Sequence, residues 1–136
     1  MPVYAECGGL IYLSRTLEME GRSYPLAGIF PVDIKMDRKP QGHGYTEVTV
    51  DKENPFFEKG TRLKGHEFHY TGINNMNGSA KCCLKVIRGS GAYNKRDGLI
   101  YRNAFASYLH LHALSCSDWA KGMVEQAHNF HNKINS

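Results

Sequence analysis

Val3-Tyr4-Ala5-Glu6-Cys7-Gly8-Gly9-Leu10-Ile11-Tyr12-Leu13 is a short β-favouring run, cut by two glycines and followed by an apolar stretch that can wind into a helix. The pattern predicts a strand, a sharp turn and a helix start, with Cys7 at the corner. A side chain at such a corner projects from a strained backbone. The N–H groups behind it begin a helix whose positive end favours a thiolate and can hold an oxyanion. Small residues at positions 5, 8 and 9 let the turn close and leave room for a substrate carbonyl. The competing reading is a buried cysteine that serves only as a small hydrophobe.

Outward from that corner, helix and strand signals alternate. Residues 9–17 space Leu10, Leu13 and Leu17 along one side of a helix, ended by polar Glu18-Met19-Glu20-Gly21. The middle is richer in β signals. Residues 26–34 are broken by Pro31, Gly44-Tyr45-Thr46-Glu47-Val48-Thr49-Val50 alternates with period two, and residues 63–70 follow a turn at Lys59-Gly60. Asn74-Asn75-Met76-Asn77-Gly78-Ser79 reads as a loop. Two more strands are expected over residues 80–88 and 99–114, the second introduced by a tight Arg96-Asp97-Gly98 turn. A final helix is expected to start at Ser117 as N-cap. Its Trp119, Met123, Ala127 and Phe130 repeat along one face and are expected to pack on a sheet. With no repeat, low-complexity tract or long linker, residues 1–136 read as one α/β or α+β unit.

At 136 residues the chain can bury a core without staples, and its 22% charged and 41% hydrophobic composition is that of a globular domain. The net charge of +4 is mild and the basic residues are scattered among acids, which argues against a nucleic-acid partner. Cys7, Cys82, Cys83 and Cys116 follow no paired spacing, so a reducing cytoplasm is expected. No leader and no apolar run of bilayer-crossing length is seen, and no membrane partner is expected.

Two histidine clusters stand out. In Gly65-His66-Glu67-Phe68-His69-Tyr70, strand geometry puts Glu67 and His69 on one face and His66, Phe68 and Tyr70 on the other. In Ala106-Ser107-Tyr108-Leu109-His110-Leu111-His112, the same geometry puts Tyr108, His110 and His112 on one face, so that either His110 or His112 could act as a base. Zinc fits poorly, because neither cluster has a helical His-Glu-x-x-His arrangement and the cysteines are unpaired, so no metal site is expected. A cysteine at a corner near the start and a strand-borne histidine near the end are, by contrast, the pair that acyl transfer requires.

Taken in order, Val3-Tyr4-Ala5-Glu6-Cys7-Gly8-Gly9-Leu10, Gly42-His43-Gly44-Tyr45, Gly65-His66-Glu67-Phe68-His69-Tyr70 and Ala106-Ser107-Tyr108-Leu109-His110-Leu111-His112 resemble the glutamine amidotransferase domain of the cobyrinic acid a,c-diamide synthase family. The resemblance implies a class I glutamine amidotransferase-like, flavodoxin-like α/β fold, a mostly parallel sheet flanked by helices, of which this chain is the C-terminal portion. It implies that Cys7 attacks the side-chain amide of glutamine to form a thioester, that His110 rather than His112 relays the proton, and that the N–H of Gly8 donates to the oxyanion. Glu67 and His69 are implied to line the glutamine pocket.

The implied partners are glutamine in this chain, and a tetrapyrrole such as cobyrinate, with ATP and Mg, in a synthetase domain upstream. No cofactor is expected in the chain itself, which has no Gly-x-x-x-x-Gly-Lys-Ser/Thr phosphate loop. The tetrapyrrole could equally be nickel-sirohydrochlorin, the relative could be cobyric acid synthase, or the module could be a non-catalytic interaction unit. Two departures from the wider class are visible. Ala5 stands where a glycine is usual, and His112 stands where many relatives carry a glutamate, which leaves His110 with no local orienting carboxylate. A fragment of this kind is expected to be weakly active or inactive alone, and its exposed sheet edges offer a route to a homodimer.

Overall fold

The computed structural model describes residues 1–136. Strand β1 (Val3–Glu6) runs through Cys7 into helix α1 (Gly8–Leu13). The helix is shorter than the 9–17 span its leucines suggest, because Ser14 turns extended and its hydroxyl donates back to the Leu10 carbonyl at 2.7 Å. Released from the helix, β2 (Thr16–Met19) forms a hairpin with β3 (Arg22–Pro25) across Glu20 and Gly21, both at positive φ. Strand β4 (Val32–Met36) follows. Next come β5 (Gly42–Val50) and β6 (Arg62–His69), an antiparallel pair close to the two period-two runs of the sequence.

Strand β7 (Thr71–Met76) takes in Asn74 and Asn75, which the sequence places in a loop. Pairing with β4 overrides their low strand propensity, and the Asn75 amide donates to Asp33 at 3.3 Å. Strand β8 (Lys81–Arg88) matches expectation. The turn after it lies at Asn94 and Lys95, both at positive φ, and Arg96-Asp97-Gly98 belongs to β9 (Arg96–Tyr101) instead. The long strand expected over 99–114 is two strands. Arg102 at φ 53° breaks it, and β10 (Ala104–Ser107) folds back on β9.

Six strands form one sheet in the order β1-β10-β9-β8-β5-β6, and four form another in the order β3-β2-β4-β7. The α/β class holds. Parallel pairing is confined to β1 with β10 and β2 with β4, and every other pair is antiparallel. Both faces of the six-stranded sheet are buried. Leu10, Phe30, Val32, Ile34, Cys82, Leu99 and Ala106 fill one side, facing the smaller sheet and α1. Val48, Val50, Leu63, Cys83, Leu84, Phe105 and Leu109 fill the other. Adjacent residues such as Cys82 and Cys83 therefore enter different cores, as strand alternation dictates.

The second core is closed by the loop at 51–61. There the Asn54 side chain accepts the N–H groups of Phe56 and Phe57 and presses both rings onto Tyr4 and Phe105. Helix α2 (Ser117–Ile134) caps this layer only by its first turns. Trp119 packs on Tyr4 with ring centroids 6.1 Å apart, and Gly122 is its buried residue, yet Met123 and Ala127 are exposed. The expected apolar stripe thus does not dock along its length, because Trp119 and Gly122 set the contact on a different line from Met123 and Ala127. Cys116, not Ser117, is the N-cap residue.

Candidate active site

Cys7 sits at φ 46° and ψ −100°, a conformation that a residue with a Cβ adopts only under strain. Neighbours on both sides hold it there. Its N–H donates to the Ser107 carbonyl at 2.8 Å, extending the β1–β10 pairing by one residue, and its own carbonyl accepts the first helical bond from Ile11. A side chain on Gly9 would press against Ala5, with the Cβ atoms 2.9 Å apart, so the small residues at this corner are a packing requirement.

The Cys7 sulfur is half-buried and contacts the Phe68 carbonyl at 3.8 Å. Burial pushes its thiol up from the usual cysteine value, and Glu6 and Asp97 add to this, while the Gly8 N–H pulls it back down. At rest the group is a thiol that needs a proton acceptor. The other three cysteines are buried, and Cys82 is pushed up to about 12 by burial.

His110 reaches Glu6, the residue before Cys7, by a different route from the one strand alternation suggests. Strand β10 ends at Ser107, and the backbone then turns around a buried carboxylate. Asp97 accepts the N–H groups of Gly98 at 2.8 Å and of Tyr108 and Leu109 at 3.1 Å, which seats both Tyr108 and Leu109 inside and carries His110 out to β6. There His110 and His66 exchange two backbone hydrogen bonds, and their rings stack 4.9 Å apart at 11°. The approach is close enough that a Cβ at residue 65 would collide with the His110 carbonyl, so only glycine fits.

The His110 Nδ1 faces Glu6 Oε2 at 3.7 Å. Burial lowers the imidazole below its usual value, His66 and His69 lower it further, and Glu6 opposes them. It is therefore neutral near pH 7 and able to accept a proton. His112 is exposed and its Nδ1 accepts the Leu114 N–H.

Glu67 and His69 share one face of β6 and Phe68 and Tyr70 the other, as period two requires. They do not line an open pocket. Both are buried, the Glu67 carboxylate is taken by His69 Nε2 at 3.1 Å and by the N–H groups of Ser90 and Gly91, and His69 Nδ1 is bonded to the Thr71 carbonyl at 2.6 Å. With every polar atom engaged, this pair braces the β8–β9 turn and the Tyr108 ring, which stacks on His69 at 3.7 Å. No three His, Cys, Asp or Glu side chains converge in a metal-holding group.

Sequence reasoning missed Glu6 and Asp97. The signal for Glu6 was its place beside the cysteine, on the same face of β1 as Tyr4, whose hydroxyl donates to Glu6 Oε1 at 2.9 Å. Asp97 was hidden because Asp-Gly reads as a turn.

Comparison with known proteins gives the family and the fold. Residues 1–117 match the family model of the CobB/CobQ-like glutamine amidotransferase domain. Cobyrinate a,c-diamide synthase of Magnetococcus marinus is 40% identical over 120 residues, covering 88% of this chain and 26% of that protein. The synthase of Caldanaerobacter subterraneus is 35% identical over 135 residues, covering 98% and 29%. That of Saccharolobus solfataricus is 42% identical over 111 residues, covering 81% and 25%. The chain thus spans under a third of the length of these relatives. Among solved structures, a Thermoplasma acidophilum protein assigned as a GMP synthase component superposes over 99% of this chain and 61% of its own, with a TM-score of 0.65 at 16% identity, a likeness of fold. By the match along most of its length, the chain belongs to the family of CobB/CobQ-like glutamine amidotransferase domains.

Proposed function

We propose that the chain is the glutamine-hydrolysing part of a cobyrinate a,c-diamide synthase. The observation that carries this reading is that His110, delivered from the far end of the sequence, faces Glu6, the residue just before the strained Cys7. In the proposed reaction His110 takes the Cys7 proton and the sulfur attacks the side-chain amide carbon of glutamine. The oxyanion is met by the Gly8 N–H. His110 returns the proton to nitrogen, the C–N bond breaks and ammonia leaves, and water then cleaves the γ-glutamyl thioester to glutamate. The names of the relatives favour a corrin as acceptor of the ammonia, with ATP and Mg held by a synthetase domain such as the rest of those longer proteins would supply. Four free cysteines suit a reducing compartment. No helix is long and apolar enough to cross a membrane.

The test is covalent. The glutamine analogue 6-diazo-5-oxo-L-norleucine should label Cys7 and spare Cys82, Cys83 and Cys116, read by peptide mass spectrometry. His110→Ala should slow labelling about a hundredfold. Equal, slow labelling of all four thiols would remove the amidotransferase reading.

A further inference from the structure

The position two residues after His110 is the exposed His112, which offers no carboxylate. Around His110 the charged or titratable groups that reach it are Glu6 from β1 and His66 and His69 from β6, so Glu6 is the one carboxylate among them. Asp97 and Glu67 are buried and fully occupied by backbone N–H groups and His69. We infer that Glu6 is a positioning residue. Its carboxylate, on the residue just before the nucleophile, holds the His110 imidazole by Nδ1 and leaves Nε2 as the basic nitrogen. This inference rests on the glutamine-hydrolysis reading above.

The two oxygens of Glu6 divide the work. Oε1 accepts the Tyr4 hydroxyl at 2.9 Å and faces the Leu111 N–H at 3.4 Å, while Oε2 faces His110 Nδ1 at 3.7 Å. One oxygen therefore ties the nucleophile strand to the residue after the histidine, and the other meets the histidine itself. Tyr4 is in turn clamped between Phe56, Phe105 and Trp119, so the carboxylate stands on a rigid support. Burial keeps the Tyr4 hydroxyl protonated, and it can only donate to Glu6. At 3.7 Å Oε2 and Nδ1 face each other just beyond hydrogen-bond length, a looseness common before substrate binds. About a quarter of the Glu6 side chain is exposed.

The experiment uses Glu6→Gln, which keeps size and the acceptor for Tyr4, together with Tyr4→Phe, which removes only the hydroxyl that steadies Glu6, and Glu6→Asp as the charge-preserving variant. Histidine titrations are followed by NMR in the full chain, His128 and His131 on exposed α2 serving as internal references. Glu6→Gln should move the His110 midpoint down by about one unit and abolish the Nδ1–H tautomer signature in the nitrogen spectrum, with the references unmoved. Tyr4→Phe should shift His110 part of the way in the same direction, and Glu6→Asp should restore most of it. Cys7 labelling by 6-diazo-5-oxo-L-norleucine at pH 7 should fall about tenfold in Glu6→Gln. A folded Glu6→Gln or Tyr4→Phe chain whose His110 titration and tautomer match the unaltered protein overturns the inference. Failure of the amidotransferase reading looks different. In that case the unaltered chain resists Cys7 labelling, whatever the titrations show.

Discussion

Cys7 combines two features, a positive φ that strains its backbone and a thiol kept protonated by burial. Glycine is free of the first. Cys7→Gly should therefore be more stable than Cys7→Ala by about 1 kcal/mol in chemical denaturation, with both variants unlabelled by the glutamine analogue. Equal stability of the two would mean that the corner is relaxed. At this scale the sequence was most informative where chemistry and backbone coincide. Cys7, with the glycines after it, announces its own turn, and the period of β6 sorts Glu67 from Phe68. It was silent on what Glu67 and His69 touch, because alternation gives a face and not a depth. The Ser90 and Gly91 N–H groups that occupy Glu67 come from more than twenty residues away.

The element that delivers His110 is a turn, and Asp97 is the reason it turns. Its carboxylate accepts three buried N–H groups in a site where burial pushes it up to about 6 and those same bonds pull it back. Asp97→Ala orphans the three donors and should cost about 3 kcal/mol of stability, measured by urea unfolding, and slow Cys7 labelling as His110 loses its seat. Because the folded value lies above the unfolded one, the stability held by this group is full below about pH 4. It declines as pH rises through 6. The stability of the unaltered chain relative to Asp97→Asn should accordingly shrink between pH 4.5 and 7 by about 2 kcal/mol, and a gap that widened would reverse the assignment. Strand alternation failed here for a definite reason. Residues 108 and 109 are both drawn inward because the backbone beyond β10 wraps around the buried Asp97 carboxylate.

For the molecule as a whole, two sheets and a short α1 build the site, while α2 is held at one end. Gly122 lies so close to the Phe56 carbonyl that a Cβ cannot fit, so Gly122→Ala should lift the helix off and cost about 1–3 kcal/mol. Removing residues 127–136 should cost less than about 1 kcal/mol, since most of that segment is exposed. Calorimetric midpoints of the two variants check both expectations. The α/β class and the strands β5, β6 and β8 were legible in outline, from the strand-turn-helix opening and the β-rich runs that follow it. The four-stranded sheet was not, because β2, β3 and β7 carry weak propensities and exist through pairing with one another and with β4.

Strand β1 has a partner on one side alone, since it stands at the end of the six-stranded order. Its unpaired amides and carbonyls form a template, and any segment that zips onto them is indexed by main-chain bonds to the residue immediately before the sulfur. A neighbour bound there would arrive already aligned with the reactive corner, its distance from the thiol fixed by the spacing of the peptide units themselves.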